Sequence, residues 1–159
     1  MGARADALAK QFEVKVEEAT ALFETLTERE WKKKSSAEKW PVGVVVHHIA
    51  VGHEQIGGII KAIADGGPMP ELSMDKIHSL NAEHAREQAN TTKAEALALH
   101  EKSAAAVAAM LRGLDDAALE RKATVLPGAP PMGAGELAEG LLVGHIDEHL
   151  GAIRVAIGR

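Results

Sequence analysis

Apolar side chains recur along this chain at spacings of three and four residues, the signature of amphipathic helix. Leu8, Phe12, Val16, Ala19, Leu22, Phe23 and Leu26 predict a first helix from about Arg4 to Thr27. The period then lapses through TEREWKKKSSAEKW, which reads as a connector. Proline at a first helical position gives up an amide that would have no partner, so Trp40-Pro41 opens a second helix. That helix, PVGVVVHHIAVGHEQIGGIIKAIADGG, runs to Gly66-Gly67 with Val42, Val45, Ile49, Ile56, Ile60 and Ile63 as its core stripe. PMPELSM is a link, and DKIHSLNAEHAREQAN is helical but polar, a segment suited to capping one end of a core. Thr92 and Glu95 stand as a capping box before a long helix that reaches about Leu114, and Asp115-Asp116 caps a short turn after it. RKATVLPGAPPMGAG carries too much proline and glycine for a helix and delivers the chain to a last one, from about Glu136 to Ile157.

Valine and isoleucine do not gather into alternating runs and alanine is abundant, so almost no sheet is expected. At 159 residues the chain has the length of one domain, 1–159, with one core. The simplest architecture is all-α, a four-helix bundle with long connections.

Composition removes whole classes of chemistry. There is no cysteine, so any metal must be held by imidazole and oxygen, and no thiolate nucleophile or redox pair exists. The formal charge of −5 and the scatter of basic residues beyond Lys32-Lys33-Lys34 argue against a nucleic-acid partner. No apolar run approaches the roughly 20 residues of a membrane span, and MGARADALAKQ is too charged for a secretory signal. A soluble, cytoplasmic protein that avoids membranes is expected.

What remains are eight histidines. In the last helix Ala138, Leu141, Leu142, His145, His149, Ala152 and Ala156 share one side, with both imidazoles at its middle. Residues four apart stack on one face and reach a common ion. Buried without partners, two imidazoles would cost on the order of a few kcal/mol. Flanking alanines leave room for an ion and a ligand where a structural helix would place leucine. Val143, Ile146, Leu150 and Ile157 form a second apolar strip, which suits a dimer partner. A third ligand is sought on the second helix. There His53 lies within the core stripe, His48 on its edge, and His47 points away as a solvated side chain, so the helical wheel alone prefers His53.

Trp40 followed by VVVHHIAVGH, the two-proline link, Asn81-Ala82-Glu83-His84-Ala85, GLDDAALER and HIDEHLGAIR together resemble a DinB/YfiT-like protein, from about Trp40 onward. Pro41 stands where such proteins often carry Ser or Thr, a difference of helix cap. The resemblance implies a homodimeric four-helix bundle with a divalent metal on three histidines, carried over as His48, His145 and His149. It therefore selects His48 against the wheel's His53. Three imidazoles leave open coordination positions, as catalytic sites do. Zinc and nickel both suit imidazole, and iron is less favoured without a carboxylate. Asn81, His84 and Glu148 are the expected substrate-binding side chains. The resemblance implies a metal-dependent transferase, isomerase or hydrolase of small molecules, assisted by a low-molecular-weight thiol cosubstrate such as mycothiol, bacillithiol or glutathione. A non-catalytic dimeric bundle with a structural or sensing ion is the alternative.

Two further motifs carry less. HIDEH matches the H-x-x-E-H of inverzincin peptidases, but only ten residues follow it. The paired Glu-x-x-His of di-iron bundles is missing, since Asn81, Leu97 and Leu142 stand three residues before His84, His100 and His145.

Overall fold

The computed structural model describes residues 2–159. Four long helices carry the fold: α1 (Ala3–Thr25), α3 (Val42–Asp65), α5 (Lys93–Arg112) and α8 (Leu141–Ile157). Between them lie α2 (Glu28–Lys32), α4 (Met74–Glu87), α6 (Asp116–Glu120) and α7 (Ala134–Glu139). The all-α expectation holds. α1 packs on α5, α5 on α3, α3 on α8 and α8 on α1, so the four long helices surround one core. Phe12, Phe23, Ile49, Ile60, Ile63, Leu111, Leu142, Ile146, Leu150 and Ile153 are fully buried there. Each such side chain contributes about 1.5–3 kcal/mol of hydrophobic stabilisation. No helix is long and apolar enough to cross a membrane among the described residues.

Helix ends follow local chemistry. The Thr92 hydroxyl accepts from the Glu95 amide at 3.2 Å and Asp115 accepts from the Ala118 amide at 2.7 Å, each satisfying an amide that the first turn leaves unpaired. α3 ends at Gly66, whose φ of 67° is the left-handed conformation that glycine adopts without a Cβ penalty.

Two expectations need correction. The connector after α1 contains α2, held by a full capping box in which Thr27 and Glu30 bond each other's amides. The last helix is not continuous. Gly140, with ψ −73°, separates α7 from α8, and this break lets α7 bury Ala134, Leu137 and Ala138 against α1, α3 and α6. Among the described residues sheet is almost absent, as expected: one two-residue antiparallel pair, β1 (Lys122–Ala123) with β2 (Met132–Gly133), where the proline-rich segment turns back on itself.

The apolar strip read as a dimer surface is also reassigned. Val143, Ile146, Leu150 and Ile157 are all buried within this chain's own core. The stripe that carries the histidines runs along the flank, with Ala138 and Leu142 buried, His145, His149, Ala152 and Ala156 half-buried, and Leu141 exposed. α8 thus turns its branched apolar side inward and its histidines to the flank, toward a cavity walled by α3, α4 and α8.

α4 differs from the four long helices in burying no residue at all. It packs on α3, reached from Gly66-Gly67 through a proline-punctuated link, and forms the outer wall of that cavity.

Candidate metal centre

His48 lies on the flank of α3, and His145 and His149 sit one turn apart on the facing flank of α8. Each offers one ring nitrogen such that all three lie within 4.8 Å of one another. The His145 Nε2 and His48 Nε2 atoms are 3.1 Å apart. Two nitrogens on one ion at ~2.05 Å would be separated by about 2.9 Å in an octahedral and about 3.3 Å in a tetrahedral arrangement, so this pair already has the spacing of a shared ion. The rings are tilted rather than stacked, with centroids 4.6–4.9 Å apart, so their edges converge.

The electrostatics suit a cation. Burial, then the neighbouring histidines, push the His48 imidazole down to about 3. Burial, then His149 and His53, push His145 down to about 3. Both rings therefore stay neutral and keep a lone pair where a free histidine would be protonated.

Glu38, a residue that the sequence pattern left inside a connector, completes the arrangement. Its Oε2 lies 2.8 Å from His149 Nδ1, and its other oxygen accepts from the Ser35 hydroxyl. The Glu38 and His149 side chains are only 10 % and 13 % exposed. Although desolvation opposes it, the Ser35 and His149 hydrogen bonds hold the Glu38 carboxyl below the usual carboxylate range. A carboxylate on Nδ1 fixes the His149 tautomer with its proton there, leaving Nε2 as the lone-pair atom, the arrangement that metal-binding histidines adopt. The loop that presents Glu38 is closed by Ser35 N–H to the Trp40 carbonyl and Lys39 N–H to the Ser35 carbonyl, both at 2.8 Å. A signal for it does exist in the sequence, since Ser35-Ser36-Ala37-Glu38 has the S-x-x-E form of a local cap, and the Ser35 oxygen accepts from the Glu38 amide at 3.4 Å.

Gly52 makes the space for His145. A Cβ at that position would lie 2.3 Å from His145 Cε1 and 2.7 Å from its Nδ1. That Nδ1 is buried and without a hydrogen-bond partner.

His53 is not part of this cluster. It is 1 % exposed, as its place in the core stripe predicts, and it bonds His100 rather than the triad. The chain of bonds fixes each tautomer. Thr20 donates its hydroxyl to the Val16 carbonyl at 2.8 Å, so it accepts from His100 Nε2–H at 3.0 Å. His100 Nδ1 then accepts from His53 Nε2–H, also at 3.0 Å. Phe12 and Phe23 meet the two rings edge-on. Both imidazoles are thus satisfied inside the core, as buried polar groups must be.

His47, expected to be solvated, is half-buried, with its Nδ1 2.6 Å from His84 Nε2. His84 is consequently turned toward α3 and is not among the residues that line the cavity. Its other nitrogen is buried and unpartnered, and its ring centroid lies 5.8 Å from that of His48. Asn81 and Glu148 do line the cavity, together with all three histidines of the triad. The space measures about 880 Å³, within the size range of small-molecule sites.

The elements and the site thus define a helical protein with a three-histidine cluster, positioned to hold a divalent ion, on one wall of an open cavity. The DinB superfamily family model matches residues 11–153, and the chain belongs to that superfamily. No curated protein and no solved structure matches it.

Proposed function

We propose that the protein is a divalent-metal-dependent enzyme of small molecules, a thiol-assisted transferase or isomerase or a hydrolase, with His48, His145 and His149 as ligands. The observation that carries this reading is the open side of the triad. The histidines stand on one wall of the cavity, where a purely structural ion would be enclosed by four protein ligands. Zinc or nickel fits three imidazoles, and when bound supplies a Lewis acid and a lowered pKa for a ligated water or thiol.

The chain's own residues do the rest. Glu38 holds the His149 proton at Nδ1, and burial keeps His48 and His145 unprotonated. The Asn81 amide, able to donate and accept, orients a polar group of the substrate from α4. The Glu148 carboxylate stands on the α8 wall, beside His149 in the sequence, where it can take up a proton. Ile56 and Ile59 of α3 and Ile77 of α4 give the cavity apolar walls that disfavour water.

Elemental analysis of the purified chain should find one divalent ion per molecule, followed by saturable binding of a small thiol. His145→Ala should lose the ion while keeping its helicity, and full occupancy in that variant sinks the ligand assignment. The competing reading, an ion that only stabilises, draws on the fact that the triad joins α3 to α8 and would cross-link them. It predicts a large loss of thermal stability on chelation with no thiol binding.

A further inference from the structure

Twenty residues line the cavity beside the triad, and no lysine or arginine is among them. Its carboxylates are Glu38, engaged by His149 and Ser35, and Glu148. Cations on the three surrounding helices are committed elsewhere, and Lys39, between Glu38 and Trp40 in the loop, is exposed and not part of the lining. Lys76 of α4 reaches the Glu71 carbonyl at 3.0 Å, Arg86 lies 3.9 Å from Glu83, Lys61 of α3 pairs with Asp65 at 2.8 Å, and Arg154 of α8 reaches Glu18 at 3.4 Å.

The rest of the lining is mostly apolar, with Gln55, His78 and Asn81 as its polar side chains. Ile56 and Ile59 come from α3, Leu72 from the link, and Ile77 from α4. Five large hydrophobic side chains are exposed among the described residues, and three of them border this space: Met74 at 51 %, Leu80 at 43 % and Leu141 at 44 %. Apolar surface left open at one place marks a surface that something covers.

We infer that this cavity selects an uncharged, largely apolar molecule and rejects any anionic group beyond the atom offered to the ion. This rests on the metal-dependent reading above. An ion of charge +2 on neutral imidazoles faces two carboxylates, Glu38 and Glu148, so the site has no positive charge left over. One thiolate or other anionic donor is accommodated by direct ligation. A second negative group, a carboxylate or phosphate, would lose its water among isoleucine and leucine with no counter-ion and with Glu148 repelling it. Low-molecular-weight thiols that bear free carboxylates are disfavoured on this ground, and neutral thiols are favoured.

The test uses the full chain loaded with cobalt(II) at pH 8. It is titrated with 3-mercaptopropionamide and with 3-mercaptopropionate, nearly isosteric molecules that differ by one charge, and followed by the thiolate-to-cobalt absorption band. After correction for the two thiols' own acidities, the amide should bind at least about tenfold more tightly. Gln55→Lys, at an exposed position on the cavity's α3 wall, should shrink that preference about tenfold. Equal or tighter binding of the carboxylate by the unmodified protein, or an unchanged preference in Gln55→Lys, overturns the inference. A parallel pair, the hydroxamates of succinamic and succinic acid, ligates the metal without sulfur. If the hydroxamates bind with the amide preferred while neither thiol binds, the thiol part of the proposed function falls and the charge selection stands. If neither pair binds to cobalt-loaded protein, both readings fall.

Discussion

Gly52→Ala isolates the geometry of the triad from the stability of the fold. The added Cβ would stand 2.3 Å from His145 Cε1, 2.7 Å from Nδ1 and 3.3 Å from Nε2. To reach an ordinary contact of ~3.5 Å the ring must retreat by about 1.2 Å, whereas metal–ligand distances tolerate only about 0.2 Å. His145 therefore leaves the common point that it shares with His48. Loss of an outer hydrogen-bonding partner alone weakens metal sites about 10–100-fold, and displacement of a ligand should exceed that range. Folding responds differently. Alanine in a helix interior gains about 1 kcal/mol over glycine, and crowding in a packed site costs about 1–3 kcal/mol, so net stability of the metal-free chain should change by no more than about 2 kcal/mol. Competitive titration against a chromophoric chelator reads the affinity, and urea unfolding of the metal-free protein reads the stability. Wild-type metal affinity in a folded Gly52→Ala protein would refute the assignment of His145 as a ligand in this geometry.

Glu38→Gln keeps shape but removes the carboxylate from His149, and zinc affinity should fall about 10–100-fold with little change in helicity, as measured by the same titration. Thr20→Val removes the acceptor for His100 Nε2–H and should destabilise the protein by about 1–3 kcal/mol, with metal stoichiometry unchanged because the His53–His100 pair lies outside the triad. Metal-free protein should lose stability as pH falls from about 6.5 toward 3. His48, His53 and His145 have their folded pKa lowered to about 3, so the unfolded chain binds their protons first, and each costs up to about 1.4 kcal/mol per pH unit across that window. A urea midpoint that is flat between pH 6.5 and 4 would contradict that account. His84→Ala removes the bond to His47, and amide exchange across 74–87 should quicken while the other helices keep their protection.

Periodicity in the sequence was enough for the four long helices because each is a local pattern: an apolar stripe, a cap such as Thr92 and a terminator such as Gly66. The triad was half legible for the same reason, since the i, i+4 spacing of His145 and His149 needs only a helix. Choosing between the two stripes of α8 was not local. Small residues beside the histidines suggested an inward-facing site, yet the core took the branched side chains of Ile146, Leu150 and Ile153 and left the histidines on the flank. The same displacement explains why His48, at the edge of its stripe, joins the triad, while His53, deeper in, meets His100. Glu38 was hidden because it lies on an irregular loop that only tertiary packing brings to α8. The interruption at Gly140 was hidden because glycine within a helical pattern is tolerated often enough that its presence alone does not announce a break.

Because α4 buries nothing, the outer wall of the cavity is almost independent of what keeps the protein folded. Apart from Met69, which packs against the core, and His84, which bonds His47, sequence change in segment 68–88 can accumulate with little effect on the interior, while the histidines opposite stay fixed on rigid helices. That separation makes the segment an exchangeable cassette. Grafting the corresponding stretch of another superfamily member onto this scaffold would transplant ligand preference and leave melting behaviour nearly as it was.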